Sequence, residues 1–333
     1  MHIDIQLAME ELILRDRINQ IEKLKTVVGR RKNGCRPLNI LIIGARGSGK
    51  SSFINSVAAS IADDYWREYA NSGAHGLQQG SANTVRIKSF TAAEYVTSSR
   101  LHGYALPSII DIAGLEDEHS KITEEILRLL FYGQLEDHVN IHSVFNYGKQ
   151  NGVESMRWKF FKWYTADSCK VDRIIVVAAA TQPIPENLIQ CVMKAARPTS
   201  DRFTREIPVF GVLTKFDQVD ESGKIFKDRK QNFIESLSLV GATHRLAQCV
   251  NYCDDIDPIS ARTQQTLPDV DVPILRFMNV VCGSNYVVTK PHESYTSVIF
   301  WEAARQQSGS IMQMVYAILV CLLFSVIVRL LSQ

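Results

Sequence analysis

The feature that most constrains this sequence is a glycine-rich segment standing between an apolar run and a helical pattern. Residues Gly44–Ser51 read Gly-Ala-Arg-Gly-Ser-Gly-Lys-Ser and satisfy the pattern G-x4-G-K-[ST]. The preceding run Leu38–Ile43 has the length and β-branched content of a buried strand. The glycines allow backbone N–H groups to curl around a β-phosphate at the positive end of a helix. Lys50 adds a charge between the β- and γ-phosphates, and the Ser51 hydroxyl can ligate Mg²⁺.

Strand-like and helical segments alternate along the rest of the chain. Helices are predicted at about 50–62, 122–132, 185–197, 226–240 and 272–281. Strands are predicted at 38–43, 84–90, 106–111, 173–178, 209–213 and about 248–252. This alternation predicts an α/β fold of the Ras-like P-loop class, with a mostly parallel six-stranded sheet and helices on both faces.

An amphipathic helix is predicted ahead of this domain, over about 4–29. Its apolar positions recur seven apart at Leu7, Leu14, Ile21 and Val28, with Ile18 between them. Glu11 and Lys25 fall on the intervening positions, so packing on the chain's own domain is favoured over pairing with a second copy. We divide the chain into a helix and linker (1–36), a nucleotide-binding domain (37–283), a second linker (284–310) and a hydrophobic helix (311–330).

The stretch 133–170 is too long for an ordinary connection and is predicted to be an insertion with structure of its own. It contains Arg157-Trp-Lys-Phe-Phe-Lys-Trp-Tyr164. Such aromatic residues can lie on a membrane or on a partner, but burial against the domain is the commoner outcome and is our expectation.

Charge and cysteine usage exclude several classes of protein. There are 37 Lys+Arg against 35 Asp+Glu, so the net charge of +2 gives no general attraction for nucleic acid. The seven cysteines include no repeated C-x-x-C, and His244, Cys249 and Cys253 lack the spacing of a tetrahedral zinc site. The amino terminus has no basic flank ahead of an apolar run, which argues against a signal peptide.

The carboxyl-terminal region carries a different signal. The eighteen residues Ile311–Val328 contain no formal charge, and eleven of them are Ile, Leu, Val or Phe. A helix of that length spans about 27 Å, close to a thin bilayer core. We expect a tail anchor that leaves the nucleotide-binding domain in the cytosol, at the endoplasmic reticulum or the outer mitochondrial membrane. The alternative is a terminal helix docked in a groove of the same protein.

Two further motifs follow predicted strands in the order that a guanine-nucleotide site requires. Asp111-Ile-Ala-Gly114 ends the third strand; Asp111 can hold the magnesium hydration shell, and the Gly114 N–H can meet a γ-phosphate. Thr214-Lys-Phe-Asp217 follows the fifth strand and matches [NT]-K-x-D. The Asp217 carboxylate can accept two hydrogen bonds from guanine, whereas adenine offers no such pair. Lys215 can lay its stem along the base.

In its set of motifs, the sequence resembles the interferon-induced 44-kilodalton-type P-loop proteins, relatives of the TRAFAC and dynamin-related GTPases. The resemblance covers about 37–282 and adds two segments, Cys249-Val-Asn251-Tyr252 and Asp271-Val-Pro-Ile-Leu-Arg276. It implies GTP or GDP with Mg²⁺ as ligands, Asn251-Tyr252 lining the base pocket, and a part in an immune response. The hydrophobic tail departs from that family. The nucleotide-binding set is therefore Gly44, Ala45, Arg46, Gly47, Ser48, Gly49, Lys50, Ser51, Ser52, Asp111, Gly114, Thr214, Lys215, Asp217, Asn251 and Tyr252.

Leu115, Arg46 and Thr84 bear on hydrolysis. Leu115 occupies the place where Ras-like GTPases carry a water-orienting glutamine, so turnover is expected to be slow. Arg46 is predicted either to crowd the γ-phosphate, to reach across it as an arginine finger in cis or across a dimer, or to face solvent. Thr84 is the choice for the switch threonine on Mg²⁺, with Ser81 close by. The catalytic group is thus Lys50, Arg46, Thr84 and Gly114, and the metal group is Ser51, Thr84 and Asp111.

Together these features predict a slow GTPase that acts as a membrane-tethered switch or assembly module and binds a protein partner or a second copy. One alternative is a dynamin-like enzyme that is activated by dimerisation across the nucleotide, although such enzymes usually need a longer helical stalk. The other is a GTP-dependent interaction protein that does not hydrolyse its ligand. An ATPase is disfavoured by Asp217, and no nucleic-acid partner is expected.

Overall fold

The computed structural model describes residues 2–63, 66–70, 86–135, 138–160, 169–197, 206–252, 267–286 and 288. These residues belong to one compact unit, formed by 1–197 and 206–288. Three sequence predictions lie outside the described residues: the switch threonine Thr84 with its neighbour Ser81, most of the 284–310 linker, and the hydrophobic helix 311–330.

A six-stranded sheet forms the centre of this unit, in the order β2-β3-β1-β4-β5-β6. All neighbouring strands pair in parallel except β2, which runs antiparallel to β3. This confirms the predicted mostly parallel six-stranded α/β fold. The strands are β1 (Asn39–Ile43), β2 (Lys88–Phe90), β3 (Ser108–Asp111), β4 (Arg173–Ala179), β5 (Val209–Thr214) and β6 (Leu246–Gln248).

Eight α-helices connect or flank these strands in the described part of the chain. They are α1 (His2–Val28), α2 (Lys50–Ser60), α3 (Ala92–Tyr95), α4 (Lys121–Phe131), α5 (Ile141–Phe160), α6 (Glu186–Ala196), α7 (Lys224–Ser236) and α8 (Pro268–Val281).

The central strands are buried from end to end, which explains why their sequences are apolar except at a terminal Asn39, Arg173 or Thr214. Every residue of β1, β4 and β5 is buried, as expected for parallel strands that are covered on both faces. On one face, Ile40, Val177 and Phe210 join a core shared with α1, α2 and α8. On the other face, Gly211 leaves space for side chains of α7 and the turn after it, because an added Cβ would lie 2.9 Å from Phe233.

Helix α1 packs on this domain, as predicted. Leu24 is buried in the core, and the Arg17 guanidinium forms an ion pair with Asp271 of α8 at 2.6 Å. The amino-terminal half is less covered, since Met9 and Leu14 remain about half exposed at 56% and 48%. The apolar repeat therefore continues beyond the part of the helix that the domain covers.

The insertion contains helix α5, which packs against α4. Arg157 forms two hydrogen bonds with the buried Glu125 carboxylate, at 2.6 and 3.0 Å. The expectation that the aromatic residues here are buried is wrong for Trp158, which is 54% exposed. Its neighbour Arg157 faces α4, so the next side chain along the helix points away from the domain.

The sixth strand differs from its predicted position. The prediction was about 248–252, whereas β6 spans Leu246–Gln248 and Cys249–Tyr252 continue as a loop. A strand of three residues at the edge of the sheet is too short for a clear alternation of apolar and polar positions. No helix among the described residues is long and apolar enough to span a bilayer.

Candidate nucleotide-binding site

The predicted motifs meet at one edge of the sheet. The loop Gly44–Gly49 follows β1, Ile112–Gly114 follows β3, Lys215–Asp217 follows β5 and Cys249–Tyr252 follows β6. These four strands are parallel to one another, so their carboxyl ends share that edge. This is where ligands bind in open α/β sheets.

The phosphate-loop motif joins β1 to α2 with Gly49 at the entrance to the helix. Gly49 has φ of +84°, a left-handed conformation that favours glycine. A Cβ on Gly49 would lie 3.0 Å from Thr214 Oγ1 and 3.3 Å from Asn251 Nδ2. The Thr214 hydroxyl donates to the Ser48 carbonyl at 2.7 Å, and Asn251 Nδ2 donates to the Gly49 carbonyl at 3.3 Å. The loop after β1 is thus held in place by Thr214 at the end of β5 and by Asn251 after β6.

Lys50 is buried at the start of α2, and its ammonium donates to the Ala45 carbonyl at 3.0 Å. Burial lowers the pKa of this ammonium to about 8; the negative charge of Asp111 opposes the shift, and the positive charge of Arg46 adds to it. A phosphate chain would supply the anionic partner that favours the charged form.

The predicted metal ligands Ser51 and Asp111 are brought together. The Ser51 hydroxyl donates to Asp111 Oδ2 at 3.1 Å, and Asp111 is buried at the end of β3. A hydroxyl and a carboxylate are the oxygen donors that Mg²⁺ prefers. The Ser48 hydroxyl is also buried and has no hydrogen-bond partner among the described residues. These residues therefore fit a Mg²⁺–phosphate ligand, in which the cation would neutralise charge on the phosphate oxygens.

Gly114 lies directly against the phosphate loop. An added Cβ would lie 2.7 Å from Arg46 Cα and 2.8 Å from Arg46 N, so glycine is required by the close approach of two backbones. The next residue, Leu115, is buried and donates its N–H to the Gly44 carbonyl at 3.2 Å. Arg46 is exposed.

The base-recognition motif forms a short turn. Lys215 has φ of +56°, a left-handed conformation that costs a residue with a side chain about 1–2 kcal/mol. It is followed by the 3₁₀ turn Phe216–Gln218, on which Asp217 is exposed. Burial raises the pKa of the Cys249 thiol to about 12, and the negative charge of Asp217 adds to the shift. The thiol also donates to Asn251 Oδ1 at 3.6 Å. Because β5 and β6 are neighbours in the sheet, the loops that carry Asp217 and Asn251 follow adjacent strands.

Tyr252 anchors the loop after β6 to the interior of the domain. Its side chain is 2% exposed, and its backbone N–H donates to Ser56 Oγ of α2 at 2.8 Å. Its ring packs against Trp66 with centroids 5.9 Å apart, and its hydroxyl donates to Asp271 at 3.0 Å. The side chain therefore holds the loop behind Asn251.

Most of the predicted binding residues thus converge on this edge, and Thr84 lies outside the described residues. Sequence reasoning assigned no role to two buried residues behind the loop, Arg17 and Asp271. Nothing in the local sequence pairs Arg17 with Asp271, which stand 254 positions apart.

No protein-family model matches the chain, and comparison with curated proteins finds no match. Among solved structures, the chain is similar to a dimerization-deficient mutant of Toc33 from Arabidopsis thaliana, with 15% identity, a TM-score of 0.43, and 82% of this chain and 95% of that chain covered. It is similar to Toc33 in complex with GDP and Mg²⁺, with 17% identity, a TM-score of 0.42, and coverages of 82% and 96%.

A third similar structure comes from the chloroplast translocon components atToc33 and psToc159, whose dimerization is described as important for their GTPase activity. It has 16% identity, a TM-score of 0.42, and coverages of 80% and 92%. The fold assignment rests on features of this chain itself, namely its sheet order and the phosphate-loop motif between β1 and α2. The described part of the chain has an α/β fold of the P-loop class.

Proposed function

We propose that this protein binds GTP and GDP with Mg²⁺ and hydrolyses GTP slowly. The observation that carries the proposal is that the motifs at the ends of the neighbouring strands β5 and β6 both contact the phosphate loop. Thr214, three residues before Asp217, donates to the Ser48 carbonyl at 2.7 Å. Asn251 in turn contacts Gly49 of the phosphate loop. A base recognised by Asp217 would therefore belong to a nucleotide whose phosphates lie at the start of α2.

Selectivity for guanine follows from the chemistry of Asp217. An ionised carboxylate can accept from both the N1–H and the exocyclic amine of guanine, whereas adenine would present an acceptor to it. Asp217 is exposed, so its carboxylate is accessible to a ligand.

Asp217→Asn is the test of this assignment. It should weaken GDP binding by about 1–3 kcal/mol, the range for a lost hydrogen bond to a charged group, and raise the relative affinity for xanthosine nucleotides. Asp220→Asn is the matched control, because it removes an exposed carboxylate three residues further on, whose contacts are with Ser222. Calorimetry that finds ATP bound as tightly as GTP by the wild-type chain would refute the assignment.

Slow hydrolysis is proposed because Leu115 replaces a water-orienting glutamine and is buried against Gly44. Lys50 would hold the β- and γ-phosphates, and the Gly114 N–H would meet the γ-phosphate. A non-hydrolysing interaction protein is the alternative, and single-turnover measurement of GTP cleavage separates the two.

A dimer across the nucleotide is a second candidate, favoured by the exposed Arg46 side chain. An arginine of the phosphate loop that projects outward can reach the nucleotide of a second copy, as arginine fingers do in trans. In that arrangement, turnover per molecule rises with protein concentration, and Arg46→Ala abolishes the rise. Turnover that is independent of concentration would exclude a dimerisation-activated enzyme.

We also propose that residues 311–330 anchor the protein in a thin membrane with the GTPase domain in the cytosol. The support is their hydrophobic composition. Alkaline carbonate extraction compares the full chain with one ending at Ser308; release of the full chain into the soluble fraction would overturn the anchor.

The narrower kinship with interferon-induced 44-kilodalton-type proteins, and a role in an immune response, are likewise proposals. They are supported by Asn251-Tyr252 after β6. Induction of the protein by interferon would test them.

A further inference from the structure

A buried chain of hydrogen bonds leads from the base-recognition loop to helix α8. The Tyr252 hydroxyl donates to Asp271 Oδ1 at 3.0 Å and accepts from the Leu267 backbone N–H, where α8 begins. One phenol therefore ties the residue after Asn251 to the first turn of α8. The Asp271 side chain is fully buried.

Arg17 continues this chain from α8 to α1 and then back to α2. Its Nε donates to Asp271 Oδ2 at 2.6 Å, and its Nη2 donates to the Ala62 carbonyl at 2.6 Å. Ala62 lies just beyond the end of α2, whose residue Ser56 accepts from the Tyr252 N–H at 2.8 Å. The contacts thus close a ring through Ser56, Tyr252, Asp271, Arg17 and Ala62.

This ring connects the two elements that support the candidate site, helix α2 behind the phosphate loop and the loop that carries Asn251. Helix α2 begins at the phosphate loop, and Asn251, which bonds to Gly49, directly precedes Tyr252. A displacement of Tyr252 would therefore move the Asn251 backbone relative to α2. Arg17 is the one member of the ring that lies on α1, outside the nucleotide-binding domain 37–283 predicted from the sequence.

We propose that Arg17, acting through Asp271 and Tyr252, is a positioning residue for guanine recognition, so that docking of helix α1 and binding of the guanine base are coupled. This inference rests on the proposed function, because it concerns the same site. Helix α1 would then influence the affinity for the base, in addition to covering the core.

The electrostatics of the ring make Arg17 difficult to replace. Removing one partner of a buried ion pair leaves the other charge without compensation, which is far more disruptive than losing an exposed pair. Burial already raises the pKa of the Asp271 carboxyl to about 6, against the opposing effects of Arg17 and Tyr252. Without Arg17, Asp271 would take up a proton or move toward water, and either change alters the acceptor that Tyr252 uses.

The chain offers a matched control in a second ion pair between the same two helices. Arg276 of α8 donates to Asp16 of α1 at 2.5 Å, and the Arg276 side chain is 63% exposed. Loss of this pair loosens α1 from α8 without touching Tyr252. Comparing variants of the two pairs therefore shows whether Arg17 acts only by docking α1 or specifically through the ring.

The test uses the full-length chain and two probes, GDP and magnesium pyrophosphate. GDP engages both the phosphate loop and the base loop, whereas pyrophosphate engages the phosphate loop alone. Arg17→Ala should weaken GDP about tenfold, within the range of coupling seen for residues of one network, and leave pyrophosphate affinity unchanged. Arg276→Ala should change neither. Arg17→Lys, which keeps the charge beside Asp271, should recover part of the GDP affinity.

Tyr252→Phe provides a second route if Arg17→Ala does not fold. It keeps the ring that packs on Trp66 and removes only the hydroxyl. Because coupling between two binding events is reciprocal, GDP should protect the amides of residues 17–24 from hydrogen exchange in the wild type and less so in Tyr252→Phe.

The outcomes distinguish this inference from the proposed function. If the wild-type chain does not bind GDP, the proposed function fails. If the wild type binds GDP but Arg17→Ala and Arg276→Ala lower the GDP affinity equally, then Arg17 has only a structural role and the coupling is overturned. The same conclusion follows if Arg17→Ala lowers the affinities for GDP and for pyrophosphate to the same extent. Equal protection of residues 17–24 in the wild type and in Tyr252→Phe would also overturn it.

Discussion

Lys50 gives a quantitative prediction about nucleotide binding and pH. Burial lowers the pKa of its ammonium from 10.5 to about 8, although Asp111 opposes the shift. Phosphate oxygens beside the ammonium would raise the pKa again, so the bound state should hold a proton that the free state partly lacks. Binding should therefore take up about half a proton at pH 8 and only about 0.1 proton at pH 7.

The size of the effect follows from that pKa. At pH 8.5, about three quarters of the nucleotide-free protein would carry a neutral Lys50, so GDP binding should take up about 0.75 proton. Between pH 7 and pH 8.5 the affinity should fall about fourfold, or about 0.8 kcal/mol.

Calorimetry in two buffers of different ionisation enthalpy measures the proton directly. The apparent binding enthalpies should nearly agree at pH 7 and differ at pH 8.5. Arg46→Ala should move the onset of proton uptake to higher pH, because the positive charge of Arg46 contributes to the lowered pKa of Lys50. Equal enthalpies at pH 8.5, or an affinity that does not change with pH, would refute the reasoning.

Three further predictions concern the residues around the loops. Gly114→Ala should lower the free energy of unfolding by about 1–3 kcal/mol, since its Cβ would meet the Arg46 backbone at 2.7 Å; unchanged stability in urea would contradict that contact. Leu115→Gln should raise single-turnover hydrolysis and cost some stability, because the site is buried; unchanged turnover would mean that water positioning does not limit the rate. Asp271 has a raised pKa of about 6 in the folded state, so its stabilising contribution is present below about pH 4 and is lost as pH rises through about 6. The wild type should therefore lose on the order of 3 kcal/mol relative to Asp271→Asn over that range, and parallel pH profiles would exclude the shift.

The predictions that the structure bears out best are those that depend on neighbouring residues in the chain. The phosphate-loop pattern occupies eight consecutive positions, Gly44–Ser51, and glycine at Gly49 is dictated by a local backbone angle. The strands β1, β4 and β5 are apolar along almost their whole length because both of their faces are covered. Once parallel strands were expected, the meeting of their carboxyl ends at one edge followed from topology.

Only the tertiary structure decided which side chains support that edge. Arg17 and Asp271 lie 254 positions apart, and each by itself looks like an ordinary charged residue on a helix. The Tyr252 side chain, which the resemblance places in the base pocket, points into the interior toward Asp271, and this follows from where α8 begins relative to β6. The exposure of Trp158 likewise depends on which face of α5 meets α4. Local sequence sets backbone conformation and periodicity, whereas buried polar partners are selected by the packing of distant elements, because an unpaired charge in the interior costs too much to remain.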